Sequence, residues 1–251
     1  MSIAILSALP EEQQGLSQAL TQPRQIQHAG RQFTRGKLHG HDVVLALSGI
    51  GKVAAATATT ALIERFGAQR LVFTGVAGGL GEQVRVGDVV VAQQFLQHDM
   101  DARPLFERWQ VPGYDSPLFA CNPAMTQALQ QSAQACVDAA AHWQEPLLGG
   151  HRPQAHAGLL VSGDQFMVSA QHSALLRSEL QAAQYQALAV EMEGAAIAQV
   201  CADYGVPFAA VRTISDRADD NAHVDFPAFV SAVAGRYAQY MLNHWLQAQS
   251  W

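Results

Sequence analysis

The stretch that decides the fold is ALAVEMEGAAIAQVCADYGVPFAAVRTISDRAD, residues 187–219. An apolar run at 187–190 predicts a buried strand, and the small and apolar residues at 194–204 predict a helix. Gly205 stands where the end of a helix favours a residue with positive φ. A second apolar run at 206–214 predicts another strand. Because strand, helix and strand in this order are typical of a βαβ unit, we expect the two strands to be parallel.

Acidic side chains follow both predicted strands. Glu191 and Glu193 come after the first strand, and Ser215 and Asp216 come after the second. In a parallel sheet, ligands bind beyond the carboxyl ends of the strands, so we expect three carboxylates to converge at one edge. An acid at a strand end can also cap the next helix. Two such clusters on consecutive strands favour a chemical role.

The first predicted strand of the chain, residues 2–8, leads to the same edge. It breaks at Pro10, and Glu11 and Glu12 follow where the N-terminus of a helix favours acidic residues. Glu12 is therefore both a first-turn acid and a further carboxylate just past a strand. We expect it to lie at the same edge of the sheet as Asp216.

Glycine-rich segments follow two further predicted strands. The turn SGIGK at 48–52 follows a predicted antiparallel hairpin and opens a helix, an arrangement that can cradle an anion. It matches neither of the two common nucleotide-binding glycine motifs, so the signal is weak. The run GVAGGLG at 75–81 follows a strand at 70–74. So many glycines imply close approach of the backbone to a ligand or to another segment.

The remainder of the chain alternates strands and helices. Residues 98–114 predict a long polar and aromatic loop, which is typical of a functional or interfacial segment. A strand at 155–161 ends in SGDQFM, and Asp225 is predicted to cap a last helix of about 22 residues. We find no linker or repeat, so we expect one α/β domain over residues 1–251.

Composition excludes several classes of function. The 251 residues are 49% hydrophobic and 14% charged, and the net charge of −6 gives no basic surface for nucleic acid. The low charge content favours a surface partly buried in an oligomer. Cys121, Cys136 and Cys201 are widely spaced, which indicates reduced thiols. His98 beside Asp99 is better explained by a polar loop than by a metal site. With no leader and no long apolar run, we expect a cytoplasmic protein without membrane contact, metal or cofactor.

The chain resembles the purine nucleoside phosphorylase and uridine phosphorylase superfamily, and more closely the bacterial 5′-methylthioadenosine/S-adenosylhomocysteine nucleosidases. The motifs that carry the resemblance are SGIGK at 48–52, TGVAGGL at 74–80, HD at 98–99, SGD at 162–164, VEME at 190–193 and RTISD at 212–216. The resemblance implies a single-domain, three-layer αβα fold with a central mixed, largely parallel twisted sheet. It also implies a small-molecule nucleoside substrate and a homodimer.

The resemblance implies a role for each matching residue. Asp216, oriented by Ser215, would protonate adenine, while Glu12 would activate the attacking water with help from Arg212. Arg212 lies in an apolar strand and needs a partner if it is buried, and Glu12 would serve. The ribose, the base and the alkylthio group would be bound by Glu193, Glu191, Met192, Phe166, Met167, Val76, Ala77, Gly78, Phe226 and Ile50. Phe106 and Pro112 would close the pocket of the partner subunit.

The chemistry of the bond agrees with these roles. Cleavage of an N-glycosidic bond develops positive charge on the ribose and negative charge on the base, and carboxylates near the sugar with an acid near the base stabilise both. Burial beside an apolar strand would raise the pKa of the acid. Two alternatives stay open: an enzyme that acts on a related purine nucleoside as a phosphorylase or hydrolase, such as an aminofutalosine-type compound, and a nucleoside-binding protein without turnover.

Overall fold

The computed structural model describes residues 2–143, 145–148 and 150–249. Within these ranges the chain forms ten strands: β1 (Ser2–Ser7), β2 (Thr21–His28), β3 (Arg31–Leu38), β4 (His41–Leu47), β5 (Arg70–Gly79), β6 (Val89–Gln97), β7 (Leu118–Ala120), β8 (Ala155–Ser162), β9 (Ala187–Glu191) and β10 (Phe208–Asp216). The same ranges contain seven α-helices: α1 (Gln14–Ala19), α2 (Lys52–Glu64), α3 (Pro123–Ala140), α4 (Ala170–Ala182), α5 (Gly194–Tyr204), α6 (Ala222–Phe229) and α7 (Gly235–Gln247).

The strands carry apolar side chains on both faces. In β1, Ile3 and Ile5 pack into one core and Ala4 and Leu6 into another, because successive side chains of a strand point to opposite faces. Helices α2 and α5 cover the face of Ala4 and Leu6, and helices α1, α3 and α7 cover the other. This arrangement confirms the predicted three-layer αβα fold.

The ten strands hydrogen-bond into one mixed sheet. Its order is β10-β6-β8-β9-β5-β1-β4-β3-β2, with β7 on β6, and β10 also pairs with β5. Strands β5, β10, β6, β8 and β9 therefore close into a barrel, from which β1, β4, β3 and β2 extend. The mixed sheet is confirmed, and its antiparallel pairings are more extensive than the sequence predicted.

The predicted parallel βαβ unit is wrong in its strand direction. β9 is antiparallel to β5, whereas β10 is parallel to β5, so the two strands run in opposite directions on either side of β5. The rule that predicts a right-handed connection holds only for parallel strands of one sheet. It does not apply here, because the closed barrel places β9 and β10 in opposite directions on either side of β5. The carboxyl ends still meet, because only the last residues of β9 and β5 overlap: Gly78 pairs with Val190 on one side and with Asp216 on the other.

Two strands were not predicted, and β5 extends beyond its predicted end at residue 74 into the glycine run. β2 is a polar, mostly exposed edge strand that contains Pro23, so it lacks the apolar alternation on which a prediction depends. β7 has three residues. The glycine run from Gly75 to Gly79 completes β5, and β5 pairs with β10 as far as Gly78.

The ends of α5 and α6 are partly as predicted. α5 has the predicted bounds, and Gly205 ends it in the left-handed conformation with φ of 64°. The prediction that Asp225 caps the last helix is wrong, because α6 has Asn221 at its N-cap and Asp225 lies inside its first turn. Pro227 lies within α6 and has no N–H to donate, and a π-helical segment at Val230–Ala234 joins α6 to α7. Among the described residues, no helix has the length and apolar character needed to cross a bilayer.

Candidate active site

A cavity of about 360 Å³ lies where the ends of β1, β5, β9 and β10 converge. Most of its lining was predicted from the sequence: Glu12, Ile50, Val76, Ala77, Gly78, Phe166, Met167, Glu191, Met192, Glu193, Ser215, Asp216 and Phe226. Further residues line it that the sequence analysis missed: Ala8, Leu9, Gln165, Val190, Ala218, His223 and Pro227. Of these, His223 lies one helical turn before Phe226, and Pro227 directly follows Phe226. This proximity to Phe226 is the one signal that could have identified them.

Glu12 is buried, and backbone N–H groups hold its carboxylate. Oε2 accepts hydrogen bonds of 2.9 Å from Ala8 and from Leu9, and Oε1 accepts one of 3.0 Å from Val76. Burial raises the pKa of the Glu12 carboxyl, while the charge of Arg212 and these N–H groups oppose the rise. The position of Glu12 is therefore fixed by the turn after β1 and by β5.

Arg212 is fully buried behind the cavity wall. Its Nη2 donates to Glu191 Oε2 and lies 3.3 Å from Glu193 Oε2, and its guanidinium stacks 3.6 Å from the centre of the Phe73 ring. The predicted pairing of Arg212 with Glu12 is wrong. Arg212 instead forms ion pairs with Glu191 at the end of β9 and with Glu193 in the turn that follows. The identity of these partners depends on the reversed direction of β9, which the sequence did not reveal.

Glu191 lines the cavity, but its oxygens are extensively hydrogen-bonded within the protein. They accept hydrogen bonds from the Ser162 hydroxyl, from Arg212 and from the backbone N–H groups of Glu193 and Gly194. The carboxylate thus occupies the N-terminus of α5, where the helix dipole favours a negative charge. It supports Arg212 and the start of α5.

Glu193 has the less fully hydrogen-bonded carboxylate of this pair. Its Oε1 accepts a 2.8 Å hydrogen bond from the Gly51 N–H, and its Oε2 faces Arg212. Burial raises the pKa of the Glu193 carboxyl, and the nearby charge of Glu191 raises it further, against the effect of Arg212 and the Gly51 N–H. The glycine turn at 48–52 therefore does bind a carboxyl group, and that group is a side chain of the same chain.

Asp216 closes the cavity at the end of β10. The Ser215 hydroxyl donates to Asp216 Oδ2 and the Ala218 N–H donates to Oδ1, each at 2.8 Å. Burial raises the pKa of the Asp216 carboxyl, although these two donors oppose the rise. Gly78 makes room for it, since a Cβ at Gly78 would stand 2.9 Å from Oδ1. A buried carboxyl that resists ionisation is suited to proton donation.

Aromatic and apolar side chains form the opposite wall. The rings of Phe166 and Phe226 meet edge to face with their centres 5.3 Å apart. Met167 and Met192 also line the cavity, and Ile50 lies at its open side with 59% of its surface exposed. One wall can therefore pack against a flat base and an apolar substituent, while the carboxylates face the polar parts of a ligand.

The loop at 98–114 lies outside the described lining of this cavity. Phe106 and Pro112 are exposed on the surface, while Trp109 is buried and its Nε1 donates to the His98 carbonyl. The expected contact of Phe106 and Pro112 with a partner subunit stays a prediction. Among the described ranges there is no group of three or more His, Cys, Asp or Glu side chains that could hold a metal ion.

The chain matches known proteins over almost its whole length. The family model described as the Phosphorylase superfamily matches residues 2–246. A 5′-methylthioadenosine/S-adenosylhomocysteine nucleosidase of Bacillus thuringiensis (strain Al Hakam) is 38% identical over 93% of this chain and 94% of that protein.

Two solved structures are similar to this chain along its length. The nucleosidase of the same name from Neisseria meningitidis, in complex with methylthio-immucillin-A, has a TM-score of 0.86 and 32% identity, with 99% of each chain covered. A futalosine hydrolase mutant of Helicobacter pylori strain 26695 has a TM-score of 0.82 and 31% identity, with 97% of this chain and 98% of that chain covered.

Proposed function

Since the chain belongs to the phosphorylase superfamily and has 5′-methylthioadenosine/S-adenosylhomocysteine nucleosidases among its relatives, we propose that it is such a nucleosidase. It hydrolyses the N-glycosidic bond of 5′-methylthioadenosine and S-adenosylhomocysteine and releases adenine and a 5-thioribose product. The observation that carries the proposal is the meeting of Glu12, Glu193 and Asp216 at one cavity with an aromatic opposite wall.

Asp216 acts as the general acid. As the glycosidic bond breaks, negative charge develops on the base, and a proton from Asp216 to the imidazole nitrogen of adenine neutralises it. The raised pKa of Asp216 keeps this proton available, and the hydrogen bond from Ser215 fixes the carboxyl group.

Glu12 activates the attacking water. Its carboxylate, fixed by three backbone N–H groups, accepts a proton from the water as the water attacks the anomeric carbon. Glu193 accepts hydrogen bonds from the ribose hydroxyls, and Arg212 holds Glu193 in place. These negative groups also stabilise the positive charge that develops on the ribose.

The remaining lining residues bind the rest of the substrate. Phe166 stacks on the purine, the backbone of Met167 binds its edge, and Met192 packs against the sugar. Phe226 and Ile50 line the alkylthio pocket. Val76, Ala77 and Gly78 line the cavity with their backbone. The Val76 N–H donates a hydrogen bond to Glu12, although the Val76 side chain is apolar.

Three further properties belong to the proposal. The chain forms one nucleoside phosphorylase-like domain over residues 1–251, and two copies form a homodimer in which Phe106 and Pro112 lie over the cavity of the neighbour. The enzyme acts in the cytoplasm, in keeping with three cysteines that are buried and free of disulfides.

A second candidate function is hydrolysis of an aminofutalosine-type nucleoside. The similarity to the Helicobacter pylori futalosine hydrolase favours it, and the cavity is open at Ile50, where a larger 5′ substituent could leave the pocket. A binding protein without turnover is less well supported, because Glu12, Glu193 and Asp216 are all present at the cavity.

The test is to incubate the purified protein with methylthioadenosine, adenosylhomocysteine, aminofutalosine, adenosine and inosine, and to identify the released bases. We expect adenine from the first two, and release slowed by at least about 10²-fold in the matched Asp216→Asn protein. Faster release from aminofutalosine would select the second candidate. Tight nucleoside binding without base release would select the binding protein.

A further inference from the structure

Three loops meet beside the cavity, each at the carboxyl end of a different strand. They are the glycine turn at 48–52 after β4, the start of the 98–114 loop after β6, and the segment at 163–166 after β8. Their contact is made by Lys52, Asp99 and Asp164, which are not among the described residues that line the cavity. The mechanism proposed above uses none of these three residues.

The three residues form a closed set of hydrogen bonds. Lys52 Nζ donates to Asp99 Oδ1 and lies 3.9 Å from Asp164 Oδ2. The Lys52 backbone N–H donates to Asp164 Oδ1 at 2.7 Å, and the Asp164 N–H donates to Asp99 Oδ2 at 2.9 Å. Each residue thus contacts both of the others, so the position of each loop depends on the other two.

Both ends of this network reach residues that line the cavity. The Gly51 N–H, one residue before Lys52, donates to Glu193 Oε1 at 2.8 Å. Phe166 follows Asp164 by two residues and lies on the opposite wall. A shift of the glycine turn would therefore remove a hydrogen bond from Glu193, and a shift of Asp164 would move the ring of Phe166.

The network is partly shielded from solvent at Lys52. The side chain of Lys52 is 16% exposed, whereas those of Asp99 and Asp164 are 31% and 49% exposed, so the two aspartates offset the desolvation of the ammonium group. Although burial alone would raise it, the pKa of Asp99 lies below its usual range because Lys52, the Asp164 N–H and nearby charges stabilise its carboxylate. An isolated pair on the surface would contribute little, whereas a partly buried network of this kind can fix a geometry.

We propose that Lys52, Asp99 and Asp164 are positioning residues that hold the Gly51 N–H on Glu193 and the Phe166 segment across the cavity. The inference rests on the proposed nucleosidase function. Removing the Lys52 ammonium weakens the binding of the ribose and the purine more than it slows the proton transfers, because Glu12 and Asp216 are held by other segments.

The experiment compares Lys52→Met, Lys52→Arg and Asp99→Asn with wild type in steady-state hydrolysis of methylthioadenosine. We expect Lys52→Met to raise KM roughly tenfold, the loss of about one charge-assisted hydrogen bond, with kcat changed less than about threefold. Lys52→Arg restores most of the affinity. The double variant Lys52→Met/Asp99→Asn is no worse than Lys52→Met, because both changes break the same network.

A matched control is Lys37→Met. Lys37 pairs with Asp42 at 3.3 Å on the β3–β4 hairpin, and both side chains are about half exposed. We expect its KM to equal that of wild type. An unchanged KM in Lys52→Met, an equal effect of Lys37→Met, or additive effects in the double variant would overturn the proposal.

Binding in the Asp216→Asn background separates this inference from the proposed function. Calorimetry in that background, in which turnover is slowed by at least about 10²-fold, gives the affinity for methylthioadenosine with and without Lys52→Met. If wild type releases no adenine, the proposed function fails, and the calorimetric comparison still decides whether Lys52 positions the binding site. If Lys52→Met does not fold, Asp99→Asn supplies the same comparison.

Discussion

The hydroxyl of Ser215 donates a hydrogen bond of 2.8 Å to Asp216 Oδ2 at the buried end of β10. This contact fixes the carboxyl group that is proposed to protonate the base. Asp216→Asn keeps the shape of the side chain and removes the transferable proton. General acid catalysis contributes about 10²–10⁴-fold, so we expect kcat to fall by at least that factor while a substrate analogue still binds. Near-normal turnover in this variant would exclude Asp216 as the acid.

The same substitution should change how stability depends on pH. An unfolded aspartate ionises near pH 3.9, whereas burial raises the pKa of Asp216 in the folded state. The stability that this group contributes is therefore full at low pH and is lost as pH rises through the folded pKa. Because the asparagine side chain of the variant cannot ionise, we expect the Tm of Asp216→Asn to rise relative to wild type as pH increases from about 4 through the folded pKa of Asp216. A difference in Tm that is constant with pH would contradict this.

Glu12 and Glu193 should affect different kinetic constants. Glu12→Gln removes the base that activates water, so kcat should fall by about 10²–10⁴-fold with little change in affinity. Glu193→Gln weakens the hydrogen bonds to the ribose hydroxyls, so KM should rise roughly 10- to 100-fold, as expected for hydrogen bonds to a charged group. Steady-state kinetics on methylthioadenosine separate the two.

Free adenine provides the control for both variants, because it has no ribose. Calorimetry should give similar adenine affinities for wild type, Glu12→Gln and Glu193→Gln. An equal and large loss of adenine affinity in both variants would mean that the cavity had collapsed, and the two roles could not be assigned.

The sequence predicted the elements of the deciding stretch because their signals are local. Apolar runs marked β9 and β10, and Gly205 marked the end of α5. The direction of β9 relative to β10 was predicted wrongly, since it follows from the closure of the barrel through β5, and this closure depends on pairings between distant segments.

The carboxylates of the cavity could be predicted because each stands at the end of an apolar strand. The partners of Arg212 could not, since Glu191 and Glu193 reach it only after β9 enters from the opposite direction. Ala8 and Leu9 were also not predicted as lining residues, because small and apolar side chains that line a cavity give the same sequence pattern as those in a core.

The oligomeric state can be tested at the 98–114 loop. Leu105 is 83% exposed there and Phe106 lies beside it, which places apolar surface in water. We expect light scattering to show a dimer for wild type and a monomer for Leu105→Asp, with reduced activity at low concentration. The control is Leu175→Asp, at an exposed leucine of α4 outside the loop. A fully active wild-type monomer, or an equal effect of Leu175→Asp, would contradict the role of the loop.

Water rather than phosphate should be the nucleophile. A phosphorylase must hold a dianion beside the anomeric carbon, which requires free cations or N–H groups. Here the N–H groups of Gly51 and Lys52 already donate to Glu193 and Asp164, and Arg212 is paired with Glu191 and Glu193. An ionised Glu12 would repel phosphate by roughly 4 kcal/mol at 4 Å and an effective dielectric of 20. We therefore expect adenine release from methylthioadenosine at the same rate in phosphate-free buffer and after phosphate is added, with free 5-thioribose product in both. A strict requirement for phosphate, with a sugar 1-phosphate product, would show that the chain is a phosphorylase.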